Sequence, residues 1–491
     1  MLHLLCGLAM SAPADPHLDD THSRLLRSQG VPLILGGADR SPMHQASQLL
    51  SAPAQDGWYD QWVRLYGTYD PEDLVLDGGR QRLSEPVVGL RATAWTGIGG
   101  AAPQGTLGDI EEDLVSLRAQ AELVAYTPWY EARVVTEIWS EAPSFLLYFP
   151  VREAYGGFRH GPWRAGFGME RQFIGPARHG ALVLGDSARA FPMGQASYEG
   201  ELGRAGALRA HVGAGWLQRP RGDVDHPGVL LMDLRWAPTG WLEIGATRFG
   251  LFGGAGRPMP SLGQLLLPTD PHVYDDPDRS EPDQDEIAAL DARLTLPLPG
   301  PLDYLELYTQ YGGDDLIIGS IGPLPSPQLA GIANLVGAEL SAGPWVVGAE
   351  WARLRDDYFR WYQGHRVYHE GFTQDGLYLG HPNGGDQDTL WLRAGYEPGT
   401  WGVELQAERV RRTLVLEVLN DSLFTGLEDE QRLRAELNVT YRPPGGGRWR
   451  VGYTIENIQG QDFVPGADLT QHRVVIERQG APYVLWGATQ W

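Results

Sequence analysis

Leu433-Arg434-Ala435-Glu436-Leu437-Asn438-Val439-Thr440-Tyr441 alternates apolar and polar side chains at every step. The turn Pro443-Pro444-Gly445-Gly446-Gly447 follows, and then Trp449, Val451, Tyr453 and Ile455 alternate with Arg450, Gly452, Thr454 and Glu456. A period of two sends successive side chains to opposite faces of a strand, so this stretch predicts a hairpin with one oily and one charged face. The alternation recurs in Leu208–Trp216, Leu290–Leu296, Trp345–Trp351, Leu390–Tyr396 and Trp401–Ala407; after the last, Glu404, Gln406 and Glu408 share the polar face. From about Val87 onward such segments number roughly 16–20, each about 8–11 residues, a normal size for an outer-membrane barrel.

A soluble sandwich or propeller would alternate too, and two further features decide between them. The last strand, Tyr483–Trp491, runs to the final residue, with Tyr483, Leu485 and Trp491 on one face. Outer-membrane barrels end on such a strand, whose terminal aromatic is the signal read by the barrel-insertion machinery. Tight turns such as Pro238-Thr239-Gly240 and Pro398-Gly399-Thr400 contrast with long loops near 251–286 and 355–388, the pattern of short periplasmic turns and long external loops. The expected fold is therefore all-β, a transmembrane antiparallel β-barrel with a best estimate of about 18 strands. Its expected place is the Gram-negative outer membrane, in contact with outer-membrane lipid.

Composition agrees. Of the 491 residues 42% are apolar, enough to fold, yet no run approaches the ~18–20 apolar residues of a spanning helix. Gly (64), Trp (17) and Tyr (20) are plentiful, as strands, tight turns and aromatic girdles require. The formal charge is −23 and all 39 basic residues are Arg; an acidic surface repels phosphate backbones, which argues against a nucleic-acid partner. A single cysteine, Cys6, allows neither a disulfide nor a Cys-based zinc site.

Residues 1–14 read as a shortened signal peptide, with an apolar core from Leu2 to Met10 and small residues from Ser11 to Ala14. Residues 15–85 read as a helical periplasmic leader or plug. Leu18, Leu25 and Leu26 share one stripe, Ser41-Pro42 caps the next, and Trp58, Trp62, Leu65 and Tyr66 make a third. Residues 86–491 read as the barrel.

The sequence has no Gly-x-Ser-x-Gly, no His-Glu-x-x-His and no phosphate-binding loop. Catalysis, a metal and a cofactor are not expected. The acidic run Asp270, Asp275, Asp276, Asp278, Glu281, Asp283, Asp285 lacks the order and the glycine of a calcium loop and reads as a solvated loop.

Two stretches carry a family resemblance. The first is Gly168-Met169-Glu170-Arg171-Gln172-Phe173-Ile174-Gly175-Pro176, continued by Leu182 to Pro192 with Asp186-Ser187-Ala188-Arg189. The second is His365-Arg366-Val367-Tyr368-His369-Glu370-Gly371-Phe372, then Gly380-His381 and Gly384-Gly385-Asp386. Together they resemble the Wzi-type capsule assembly proteins. Phe173-Ile174, Arg366 and the Ala190-Phe191 that separates Arg189 from Pro192 depart from the family pattern. The resemblance implies an outer-membrane barrel tied to capsule or exopolysaccharide assembly, with surface polysaccharide as its partner. Two modes stay open: attachment of polymer at the surface, or an exit channel working with a periplasmic polysaccharide-export protein. An enzyme acting on glycans ranks third.

Sugars are held by aromatic faces and planar polar groups. The 355–388 loop supplies both, so the candidate ligand residues are Trp361, Tyr362, Tyr368, His369, Glu370, His381 and Asp386. Arg164, Arg171 and Arg189 join them as cations for an anionic sugar. The competing reading is a loop that packs its own aromatics to fold over the barrel mouth, with the arginines in ion pairs inside.

Overall fold

The computed structural model describes residues 87–99, 115–126, 129–141, 147–148, 151–217, 221–266, 282–314, 316–321, 324–329, 331–355, 360–363, 365–413, 429–443, 448–479 and 483–486. The signal-peptide and leader readings, and Trp491, lie outside these residues.

Twenty strand segments form one antiparallel sheet. Two are short pieces, Leu147–Tyr148 and Tyr483–Trp486, and the other eighteen are the staves. Each stave pairs with the stave before and after it. The first, Val87–Gly99, pairs on one side with Val115–Tyr126 and on the other with the last, Leu469–Gln479, and with Tyr483–Trp486. Among the described staves, pairing first to last leaves no open sheet edge, the condition for a sheet to cross a membrane.

The connections differ at the two ends. At one end they are as short as 161–162, 240–241 and 343–344; at the other they include 170–191, 253–283 and 355–386. The expected strand count and the contrast between turns and loops both appear.

Alternation sorts the wall. Outward positions are apolar: Leu234, Ile244, Leu290, Val347, Leu392, Leu405, Leu437 and Val451 are all exposed. At the turn end, aromatics pair across strands, Trp345 with Tyr396 at 4.3 Å and Trp401 with Tyr441 at 4.5 Å. Trp216, Tyr311 and Trp351 lie outward nearer the loop end. An apolar band between aromatic girdles is what lipid requires. Inward positions are charged and buried. Arg235 is fully buried among Asp233 (3.1 Å), Asp291 (3.0 Å) and Glu243 (3.2 Å), and Arg293 reaches the same Glu243 at 2.5 Å. The reading of arginine beside inward carboxylates holds here, since an inward guanidinium in low dielectric needs such partners.

Candidate functional site

The apolar core of the molecule is not in the wall. It lies where loops 170–191 and 355–386 fold into the loop end of the barrel and meet inward residues of the strands from Pro192 to Leu354. Ala181-Leu182-Val183-Leu184 is too apolar to remain in water. An antiparallel bridge from Ile174 to Leu184 (N–H to C=O, 2.8 Å) folds the segment back on itself. Its tip, Ala177 to Gly180, reaches across the lumen.

Wall carboxylates receive that tip. Glu350 accepts the backbone N–H groups of Arg178 (2.8 Å), His179 (3.3 Å) and Gly180 (3.1 Å), plus the Tyr308 hydroxyl (2.9 Å). Successive N–H groups turned to one point make an anion-binding concavity, and here the anion is the barrel's own carboxylate. Arg178 donates to Glu306 (2.8 Å) and Glu339 (3.4 Å). His179 meets Glu408 at 2.7 Å and stacks on Trp391 with ring centroids 5.3 Å apart. At the base of the loop, Arg171 pairs with Glu153 at 3.2 Å. The loop is thus anchored from the strand Val151–His160 round to the strand Trp401–Arg412.

The second loop clamps the first. Tyr362 is fully buried; its hydroxyl donates to the Leu182 carbonyl (2.6 Å) and accepts the His381 N–H (2.8 Å). Its backbone sits at φ 73°, a conformation costly for a bulky residue and held by those two bonds. Gly185 N–H donates to the Leu379 carbonyl at 2.6 Å, and Ser187 Oγ to the Gly380 carbonyl at 3.1 Å. A small hairpin pairs Thr373 with Tyr378 through Asp375-Gly376, both at positive φ, the conformation a two-residue hairpin turn favours. A Cβ on Gly180 would enter the His381 ring, and one on Gly385 the Trp361 backbone. The two stretches quoted for their resemblance are therefore the two halves of one plug, and several of their glycines mark where backbones touch.

The candidate residues sort by this geometry. Trp361, Tyr362 and Tyr368 are at most 2% exposed; their ring faces lie against protein. His381 is fully buried, with Nδ1 facing Gln387 at 2.9 Å and its ring edge-on to His179. Arg164 donates to Glu170 (2.9 Å) and lies over the Tyr155 ring. Glu370 accepts the Gly222 N–H, and its own N–H donates to Asp223 at 2.8 Å, joining this loop to the connection between the strands Ala207–Trp216 and Gly228–Thr239. Asp386 is 3.3 Å from Arg360 at φ 55°; burial pushes its carboxyl up to about 6 against the pull of Arg360. His369 is exposed, and Arg189 is partly exposed, 3.9 Å from Asp375. Sequence reasoning missed Glu306, Glu339, Glu350 and Glu408, which hold the tip. Each sits at an inward position of an alternating strand, where a carboxylate is ordinary. Only the loop docked above singles them out.

Two histidines should make the plug pH-sensitive in opposite senses. Burial alone would lower His179, but Glu408 beside it outweighs that and raises its pKa. Burial, with His179 nearby, holds His381 down to about 3. The His179 contribution is complete below its unfolded value and lost as pH rises through the raised one. That of His381 is present above its unfolded value and lost as pH falls toward about 3. Protection factors for hydrogen exchange at residues 177–185, with the intrinsic pH dependence of exchange divided out, should therefore be highest near neutral pH and fall on both sides. His179→Gln should remove the alkaline change and leave the acid one; an unaltered alkaline limb would refute this assignment.

Among the described residues no group of three His, Cys, Asp or Glu could hold a metal ion. The model of the family described as capsule assembly protein Wzi matches residues 141–472. No curated protein sequence matches the chain. Among solved structures, Wzi of Escherichia coli, described as an outer-membrane protein of group 1 capsule assembly and a carbohydrate-binding β-barrel, superposes with a TM-score of 0.68 at 18% identity, covering 96% of this chain and 98% of that one. OprD of Pseudomonas aeruginosa gives 0.50 at 8% identity, over 82% and 96%.

Proposed function

This chain belongs to the capsule assembly protein Wzi family, and from that premise we propose that it attaches polysaccharide at the cell surface without chemical catalysis. It is a barrel of the outer membrane. The observation that carries attachment over export is the plug, tied to four wall carboxylates where an exit path would run. In this reading Trp361, Tyr362, Tyr368 and His381 are the scaffold, while the outer rim (Arg189, His369, Asp375) meets sugar hydroxyls and carboxylates. Bidentate and planar polar groups of that kind suit both.

Cells lacking the protein should release polymer into the medium and fail to retain it. An exit channel would behave oppositely, with polymer or intermediates held inside and none released. Measuring cell-bound against released polymer decides between them. For the rim, the paired change Arg189→Ala and His369→Ala should weaken polymer capture by the purified barrel while its heat-modifiable mobility on gels stays normal. Undiminished capture would remove the rim assignment.

A further inference from the structure

We propose that the outer wall formed by strands Trp345–Leu354, Gln387–Tyr396 and Trp401–Arg412 binds, at its loop end, a phosphorylated headgroup of an outer-leaflet lipid through Arg353, Arg409 and Arg411. This rests on the membrane placement and not on the polysaccharide reading.

Register defines the face. Across the staves, Arg353 stands opposite Asp388, which stands opposite Arg411. The next row toward the membrane centre is Val336, Trp351, Leu390, Arg409 and Leu433. One guanidinium thus sits in an otherwise apolar row beside a girdle tryptophan. Beneath it the row is Ala349, Leu392, Ala407 and Ala435. Arg353 and Arg411 are 45% and 48% exposed, and Arg409 is exposed as well.

Among the described residues the charges do not cancel locally. Asp388 lies 3.9 Å from Arg353 and 3.0 Å from Arg355, and Asp429 lies 2.5 Å from Arg411. Among the described residues two carboxylates therefore face four arginines, and Arg409 has no ion-pair partner. This cationic surplus occurs on a chain of formal charge −23. Elsewhere on the membrane face arginines are answered within the protein. Arg248 is gripped by Glu286 and donates to the Leu265 carbonyl at 2.7 Å, and Arg478 lies over Trp449 at the turn end.

A cation on the lipid face costs about 2–4 kcal/mol at the midplane and about 0–1 near the interface, so at girdle height it survives and seeks an anion. The guanidinium fork matches phosphate oxygens in pairs. The apolar rows directly beneath would take the acyl chains of the same molecule. A soluble polyanion fits the charge but leaves Trp351, Leu390 and Leu433 unanswered.

The test uses the full chain reconstituted in phosphatidylcholine vesicles containing diphosphoryl lipid A. Lipid A retained after mild re-extraction is counted by mass spectrometry. Each arginine near a membrane surface contributes about fivefold in affinity. Arg409→Leu should therefore lower retention several-fold, and the triple change Arg353→Gln, Arg409→Leu, Arg411→Gln should bring it to background. Arg478→Gln should change nothing. Heat-modifiable mobility reports assembly, and if the triple variant does not assemble, Arg409→Gln alone is measured. Equal retention by variant and wild type would overturn the proposal. So would equal retention of lipid A stripped of its phosphates. It would also fail if the triple change abolished binding of a soluble acidic polysaccharide and left lipid A retention intact.

Discussion

Glu350→Ala should release the plug tip and raise the conductance of the barrel. The carboxylate answers three backbone N–H groups and a tyrosine hydroxyl from a position only 2% exposed. Its removal strands buried donors, and each costs about 1–3 kcal/mol when left unanswered. The Arg178 and His179 contacts to Glu306, Glu339 and Glu408 remain, so the tip should loosen rather than the barrel unfold. Single-channel recording in planar bilayers should show a larger conductance, with faster hydrogen exchange at 177–185. Glu350→Gln keeps one acceptor oxygen and should fall between. Wild-type conductance together with wild-type exchange in the alanine variant would mean that the tip is held by something else.

Gly371→Ala is the second large effect. Gly371 sits at φ 60°, and a Cβ there would enter the Tyr362 carbonyl oxygen, which already accepts the Phe372 N–H at 2.9 Å. The left-handed conformation alone costs an alanine about 1–2 kcal/mol, and the overlap adds to it because a backbone oxygen cannot rotate aside. Gly376 makes the matching control: its φ is 75°, and a Cβ there meets nothing within 4 Å. Gly376→Ala should therefore show the conformational cost by itself. Proteolysis of the 360–386 loop in the intact barrel should be much faster for the first variant than for the second. Equal rates would assign the effect to strain alone and remove Tyr362 as the clamp.

The fold was legible because its cause is local. In Leu433–Tyr441 each side chain states by its own polarity which face it takes, and the register confirms that Leu433, Leu437 and Val439 lie outward opposite Asn457, Tyr453 and Val451. Lipid outside and charge inside leave no second solution for such a strand. The strand count, the turn and loop ends and the aromatic girdles all follow from that period of two. The resemblance was legible for a different reason, since it rests on Gly185, Gly380, Gly384 and Gly385 within an unusual run of residues. A Cβ on Gly185 or Gly385 would meet a backbone oxygen, of Gly380 and of Trp361, and one on Gly384 the Tyr378 ring.

What those two stretches do was decided only by the tertiary structure. By sequence, Trp361, Tyr362 and Tyr368 are as suited to stacking on a sugar as to filling a core, because an aromatic face has the same chemistry in both settings. Residues 182 and 362 are brought together by the path of the chain through the barrel, and that contact buries the ring. Glu350 and Glu408 look like any inward carboxylates until a loop from far along the chain lowers its N–H groups onto one and its histidine onto the other. Arg409 is the converse case. Its sequence neighbours Ala407 and Arg411 suggest an ordinary charged strand end, and only the cross-strand register sets it between Leu390 and Leu433 on the face that lipid covers. Alternation fixes which side of the wall a residue faces, through the local geometry of one strand. What it meets there depends on segments hundreds of residues away, which no local period encodes.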